Sequence, residues 1–242
     1  VGIGGSFAPL LESIQSGTGY ILFGLFPLFG VLALHGIKIK IENASELEVI
    51  SLGDIKKMYL WFSTAFTQGF LEGGLLSYLG LMIIGMGYAT NQVSVVFGSM
   101  FAGVICSMLF ITRLADTIGH KRVLLLTHVL SLLCLLMMGF TESLAVIIVF
   151  IFFVGLTCGG QYAVALASLG MQVDSKKQPS VNSAYLTLNC AGSVAGPMVM
   201  GFLGSGGLFG SIFIIGSIPI FILLLVWFVN ICCYKNKVVV KA

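Results

Sequence analysis

Glu72 has the most chemistry to offer in this sequence. It lies in the middle of an apolar stretch, 59–85, and Gln68 and Thr64 precede it by four and eight residues. On a helix those three share one face and form a polar stripe, which Ser63 and Thr67 flank. An acid inside a hydrocarbon segment is costly unless it faces a cavity or a partner. Such surroundings favour the uncharged carboxyl, so Glu72 is a candidate to accept a proton or to bind a polar solute. The alternative is a neutral Glu72 hydrogen-bonded to a neighbouring helix. Gln161 and Asn189 are further candidates for solute contact, each equally readable as a helix–helix hydrogen bond. The six cysteines show no metal-ligand spacing. The chain carries no His-Glu-x-x-His, no Gly-x-Ser-x-Gly and no Walker A loop. No metal, no cofactor and no enzymatic activity are therefore expected.

The elements that must position these residues are set by composition. Of 242 residues, 58% are hydrophobic and 9% charged, with a mean hydropathy of +1.08. Soluble domains carry roughly 25% charged residues, so a water-soluble enzyme is excluded. A net charge of +3 is too small for a nucleic-acid footprint. A helical span needs about 20 apolar residues, and seven stretches qualify: 19–36, 59–85, 91–111, 123–140, 145–171, 181–204 and 209–231. None alternates as a barrel strand would. The expected fold is an all-α membrane protein, a bundle of seven full transmembrane helices preceded by a helix remnant. The chain starts with Val and shows no signal peptide, so the expectation is that helices before it are missing from this sequence.

Positive charge is distributed in alternation. Lys38, Lys40, Lys56 and Lys57 fall in the 37–58 connection, and Arg113, Lys121 and Arg122 in 112–122. Lys176 and Lys177 fall in 172–180, and Lys235, Lys237 and Lys241 in the tail. The connections between these hold none. The positive-inside rule puts the charged connections and the C-terminus in the cytoplasm, and the expected location is the plasma (inner) membrane. The 37–58 connection divides residues 1–36 from a six-span block, 59–231, followed by a cytoplasmic tail, 232–242. A short amphipathic helix at the membrane surface is expected within that connection.

The 112–124 stretch, Thr-Arg-Leu-Ala-Asp-Thr-Ile-Gly-His-Lys-Arg-Val-Leu, resembles the loop motif G-x-L-a-D-R-x-G-R-K-x-x-L of the major facilitator superfamily. Leu114, Ala115, Asp116, Gly119, Lys121 and Leu124 match. Thr112, Thr117 and His120 depart from it, as the copy in the C-terminal half of the family commonly does. Gly192-Ser-Val-Ala-Gly196-Pro197-Met-Val-Met-Gly201 is similar to the Gly/Pro helix motif of antiporter-type members. Gly5-Ser-Phe-Ala8-Pro9 resembles a frayed copy six spans earlier.

The resemblance implies that the chain covers the end of helix 5 through helix 12 of a twelve-helix transporter. It implies small-solute transport by alternating access in a lipid bilayer, with protons as a candidate co-substrate. It also implies a gating charge network at Asp116, with Lys121 and Arg122 as further members. The alternative for those three is a positive-inside anchor. Gly192, Gly196, Pro197 and Gly201 are read as a helix hinge or as simple close packing. A truncated or non-transporting membrane protein with a regulatory or scaffolding role stands as the other functional expectation.

Overall fold

A computed structural model describes the backbone of residues 48–204 and 211–239, with side chains through residue 230. The first expected span, 19–36, the helix remnant before it and residues 37–47 of the 37–58 connection lie outside the described residues. Among the described residues seven helices follow in order: α1 (Leu52–Lys57), α2 (Tyr59–Gly85), α3 (Thr90–Ile118), α4 (His120–Gly139), α5 (Leu144–Gly170), α6 (Gln178–Gly204) and α7 (Ser211–Val239). Six of them, all but α1, are long and apolar enough to cross a membrane. No strand occurs among the described residues. Outward faces are apolar too: Phe110, Phe140 and Phe202 are largely exposed, as helices solvated by lipid require.

The structure lengthens the expected spans 91–111 and 209–231 the most, and α7 carries on as helix through residues 232–239 of the expected tail. The stretch 112–118, read above as a loop, continues α3 as helix. The chain breaks only at Gly119, whose φ of 95° is open to glycine without steric cost. At 29 residues, α3 exceeds the about 20 needed for hydrocarbon, so its last turns and the motif residues project beyond the apolar zone. Nothing in that segment breaks a helix before the glycine.

The six long helices form an internal repeat. Phe66-x-x-Gly69-x-x-x-Gly73-Gly74 on α2 recurs as Phe152-x-x-Gly155-x-x-x-Gly159-Gly160 on α5. Helix α2 packs most extensively on α6, and α3 on α5, and the two pairs use equivalent contacts. A Cβ on Gly69 would collide with the Asn189 carbonyl oxygen, and one on Gly155 with that of Met100. Likewise Gly192 lies against the Phe66 carbonyl and Phe70 N–H, and Gly103 against the Phe152 carbonyl and Leu156 N–H. Gly74 meets Met200 as Gly160 meets Ile111. Every contact among the six long helices maps onto another or onto itself when α2, α3 and α4 are exchanged for α5, α6 and α7. Small residues let the backbones approach where apolar burial drives nothing.

At the end of the bundle that carries the charged turns, residues 48–57 lie across the connection between α5 and α6. The Glu48 N–H donates to the Lys176 carbonyl at 3.1 Å, and the Ile50 N–H donates to Ser180 Oγ at 2.9 Å. Lys177 Nζ lies 3.8 Å from Glu48 and 3.7 Å from Asp54. Ser51 and Asp54 close a capping box that starts α1, and Ile50 and Ile55 pack onto the core below. At the opposite end, Tyr88 Oη donates to the Glu142 carbonyl at 3.0 Å and accepts the Leu144 N–H at 3.3 Å. That tyrosine ties the α2–α3 turn to the α4–α5 turn.

Candidate functional site

The stripe on α2 becomes a hydrogen-bonded chain that reaches α6. Gln68 Nε2 donates to Glu72 Oε2 at 2.9 Å. Asn189 Nδ2 donates to Gln68 Oε1 and to the Ala65 carbonyl at 3.1 Å. Gln68 is thus held at both ends, its oxygen by Asn189 and its nitrogen by Glu72. It can be so held only because Gly69, Gly192 and Gly196 let α6 come into backbone contact with α2. Thr64 is fully buried one turn further along and donates to the Leu60 carbonyl at 2.8 Å, which satisfies it within its own helix.

Beside Glu72 the helices α2, α3 and α5 line a partly open chamber of about 190 Å³, at which the Glu72 side chain is exposed. Gln68 and Glu72 form its polar wall, while Met100, Phe101, Val104 and Cys158 complete it from α3 and α5. Sequence reasoning missed those last four, because no polarity marks them. The repeated Phe-x-x-Gly-x-x-x-Gly-Gly pattern was the available signal, since it puts Cys158 at the position equivalent to Glu72.

That repeat also separates scaffold from site. The phenylalanines and glycines recur in both copies. Thr64, Gln68, Glu72 and Asn189 correspond to Phe150, Val154, Cys158 and Met100 by the contacts given above. One backbone arrangement is therefore built once with polar side chains and once without them. Helix packing alone does not require the polar set.

Gln161 stands apart from this cluster. It is fully buried, and its Nε2 donates to Ser131 Oγ of α4 at 3.3 Å. Ser131 in turn lies 2.5 Å from Thr157 Oγ1. Gln161 Oε1 has no partner in the structure, and the residue is not part of the chamber wall.

Asp116, Lys121 and Arg122 are exposed at the charged end. His120 Nε2 is 3.9 Å from Asp116, and Gly119 provides the break between their helices. Gly192 and Gly196 abut α2. Gly201 faces the Tyr78 hydroxyl, and Pro197 sits inside a helix assigned without interruption.

The family model of the Major Facilitator Superfamily matches residues 60–231, which reaches into all six long helices and includes the whole cluster. The chain belongs to the major facilitator superfamily. It is an all-α, multi-pass membrane protein of that superfamily's bundle type. It is 25% identical over 198 residues to an uncharacterised MFS-type transporter, YuxJ, of Bacillus subtilis (strain 168), covering 78% of this chain and 50% of that protein. It is 26% identical over 109 residues to the multidrug resistance protein MdtL of Vibrio parahaemolyticus serotype O3:K6, covering 45% of this chain and 28% of that one. The chain thus matches half or less of the length of these curated relatives. As a superfamily bundle, its exchange of α2–α4 for α5–α7 is the nested three-plus-three repeat expected of one transporter half.

Proposed function

We propose that this protein moves a small solute across a membrane by alternating access, its six-helix bundle rocking against a second bundle. We assign the residues 37–58 as the connection between the two, with 1–36 belonging to the other bundle. Membership of the superfamily supports the transport reading. The observation that carries the site is the hydrogen-bonded chain from Asn189 through Gln68 to Glu72, polar in one copy of the repeat and apolar in the other. In this reading Glu72 is the residue that exchanges a proton or contacts the solute, and Gln68 orients it. Gln68 and Asn189 support that role because their hydrogen bonds hold one Glu72 oxygen in place.

The charged connections and the tail are read as cytoplasmic, in the plasma membrane, on the strength of the alternation of Lys and Arg. Asp116, with Lys121 and Arg122, is read as a gate partner for the other bundle. Its exposure in this bundle, with only a partial interaction to His120, leaves its carboxylate available.

The test uses the full-length protein in proteoliposomes that contain a pH-sensitive dye, challenged with a panel of solutes. Solute-evoked proton movement in the wild type and its loss in Glu72→Gln, at equal incorporation, is the expected result. Coupling that persists in Glu72→Gln removes Glu72 from that role. No flux with any solute class sinks transport itself.

A further inference from the structure

We infer that the chamber between Glu72 and Cys158 binds a monocationic organic group, a protonated amine or quaternary ammonium, with Glu72 as its counter-charge. This rests on the reading that the chamber is a solute site.

Three observations on the chamber point to that class. Among the described residues its wall holds a single carboxylic acid and no Lys, Arg or His, so an anionic guest would meet the repulsion of Glu72 with no opposing cation. Gln68 occupies Glu72 Oε2 with one hydrogen bond, and a carboxylate has about four lone-pair sites. Capacity for a second charge-assisted contact therefore remains. A neutral apolar guest would strip water from that carboxylate and return nothing, which is unfavourable. A cation offsets the same desolvation by direct attraction, which strengthens as the local dielectric falls.

The facing wall is suited to the same guest. Phe101 offers an aromatic ring, whose face attracts a cation within about 6 Å of its centroid. Met100 adds a soft, polarisable thioether. The volume, about 190 Å³, is below the roughly 300–1,000 Å³ typical of sites that enclose a drug-sized ligand. The chamber therefore takes the charged head group, while the rest of the molecule lies outside it.

The internal repeat supplies an independent handle. Cys158 occupies the position on α5 that Glu72 occupies on α2, and both line the one chamber. If the site reads charge, the acid can be transferred across it. Moving it by the paired change Glu72→Cys with Cys158→Glu keeps one carboxylate on the wall of the same chamber.

The experiment is equilibrium binding of radiolabelled phenyltrimethylammonium to the full-length protein, without any gradient. Neutral tert-butylbenzene serves as the uncharged isostere. The wild type should bind the cation at least tenfold more tightly than the isostere. Glu72→Gln should lose at least tenfold in cation affinity, and the transferred-acid pair should recover most of that loss. Equal binding of the two probes by the wild type overturns the proposal whatever the variants do. So does full cation affinity in a folded Glu72→Gln. Flux of an uncharged or anionic solute without cation binding sinks this inference and leaves transport standing. Cation binding without flux of any solute does the reverse.

Discussion

Glu72 on α2 and Cys158 on α5 hold equivalent positions in two copies of one glycine pattern, and both line the same chamber. The pairing acts as a control built into the molecule. The glycines that bring α6 onto α2 have counterparts that bring α3 onto α5, so the close approach is explained twice by the same physics. The amides and the acid have no polar counterpart. Whatever they contribute, the bundle assembles an equivalent helix pair without them.

Gln68 should couple energetically to Asn189. A double-mutant cycle of Gln68→Leu and Asn189→Leu, read by thermal unfolding in detergent, should give an interaction energy near about 0.6 kcal/mol, and below about 2 kcal/mol. Additive effects would mean that the hydrogen bond across α2 and α6 contributes nothing to that pair.

The backbone approach gives a sharper contrast. Gly155 lies against the Met100 carbonyl, whereas a Cβ at Gly98 would meet nothing within 4 Å. Gly155→Ala should therefore cost about 1–3 kcal/mol, since backbone must shift. Gly98→Ala should be neutral or slightly stabilising, because alanine loses less backbone freedom. Equal effects at the two sites would refute the assigned α3–α5 contact.

Much of this fold is legible in the sequence because each span is a long apolar run between charged or glycine-rich turns. The α2 stripe is legible for the same reason: Thr64, Gln68 and Glu72 are conspicuous in hydrocarbon. Their partner was harder to find. Asn189 looked no different from Gln161, and only the register of α6 on α2 distinguishes the amide that meets Gln68 from the one that meets Ser131. Met100, Phe101 and Cys158 are ordinary apolar residues until three helices bring them to one chamber wall. The end of α3 was misread because charge was taken for loop, although a helix can run on past the hydrocarbon.

The strap across the α5–α6 connection should loosen in acid. Hydrogen bonds from Ser51, its side chain foremost, hold the Asp54 carboxyl below its ordinary value of 3.8, and Lys177 and Lys57 add to that. A depressed value means the stabilisation is present above pH 3.8 and is lost as pH falls through the lowered value. A nitroxide at Gly53→Cys, a position with room for a side chain, should stay immobile from neutral pH to about pH 4 and become mobile below. The change Asp54→Asn should make it mobile throughout. An immobile label in Asp54→Asn would show that Ile50, Ile55 and the contacts of Glu48 and Ile50 with the α5–α6 connection hold the strap without Asp54.

Threading can be checked by single-cysteine labelling in cells. Sites replacing Lys121 and Lys177 should react from one side of the membrane. A site replacing Glu142, joined to Tyr88 at the opposite end of the bundle, should react from the other. Labelling of all three from one side would break the alternation on which orientation depends.

Gln161 offers the last discrimination. Its Oε1 is buried without a partner, and such an orphan costs about 1–3 kcal/mol of desolvation. Its Nε2 recovers part of that through Ser131 at 3.3 Å, while Ser131 is separately engaged by Thr157. Replacing the whole amide with an apolar side chain removes the orphan and leaves Ser131 bonded. Gln161→Leu should therefore unfold within about 1 kcal/mol of the wild type, or above it, with transport intact. An unchanged unfolding temperature combined with lost transport would instead put Gln161 on the solute path, from which the α4–α5 interface now separates it.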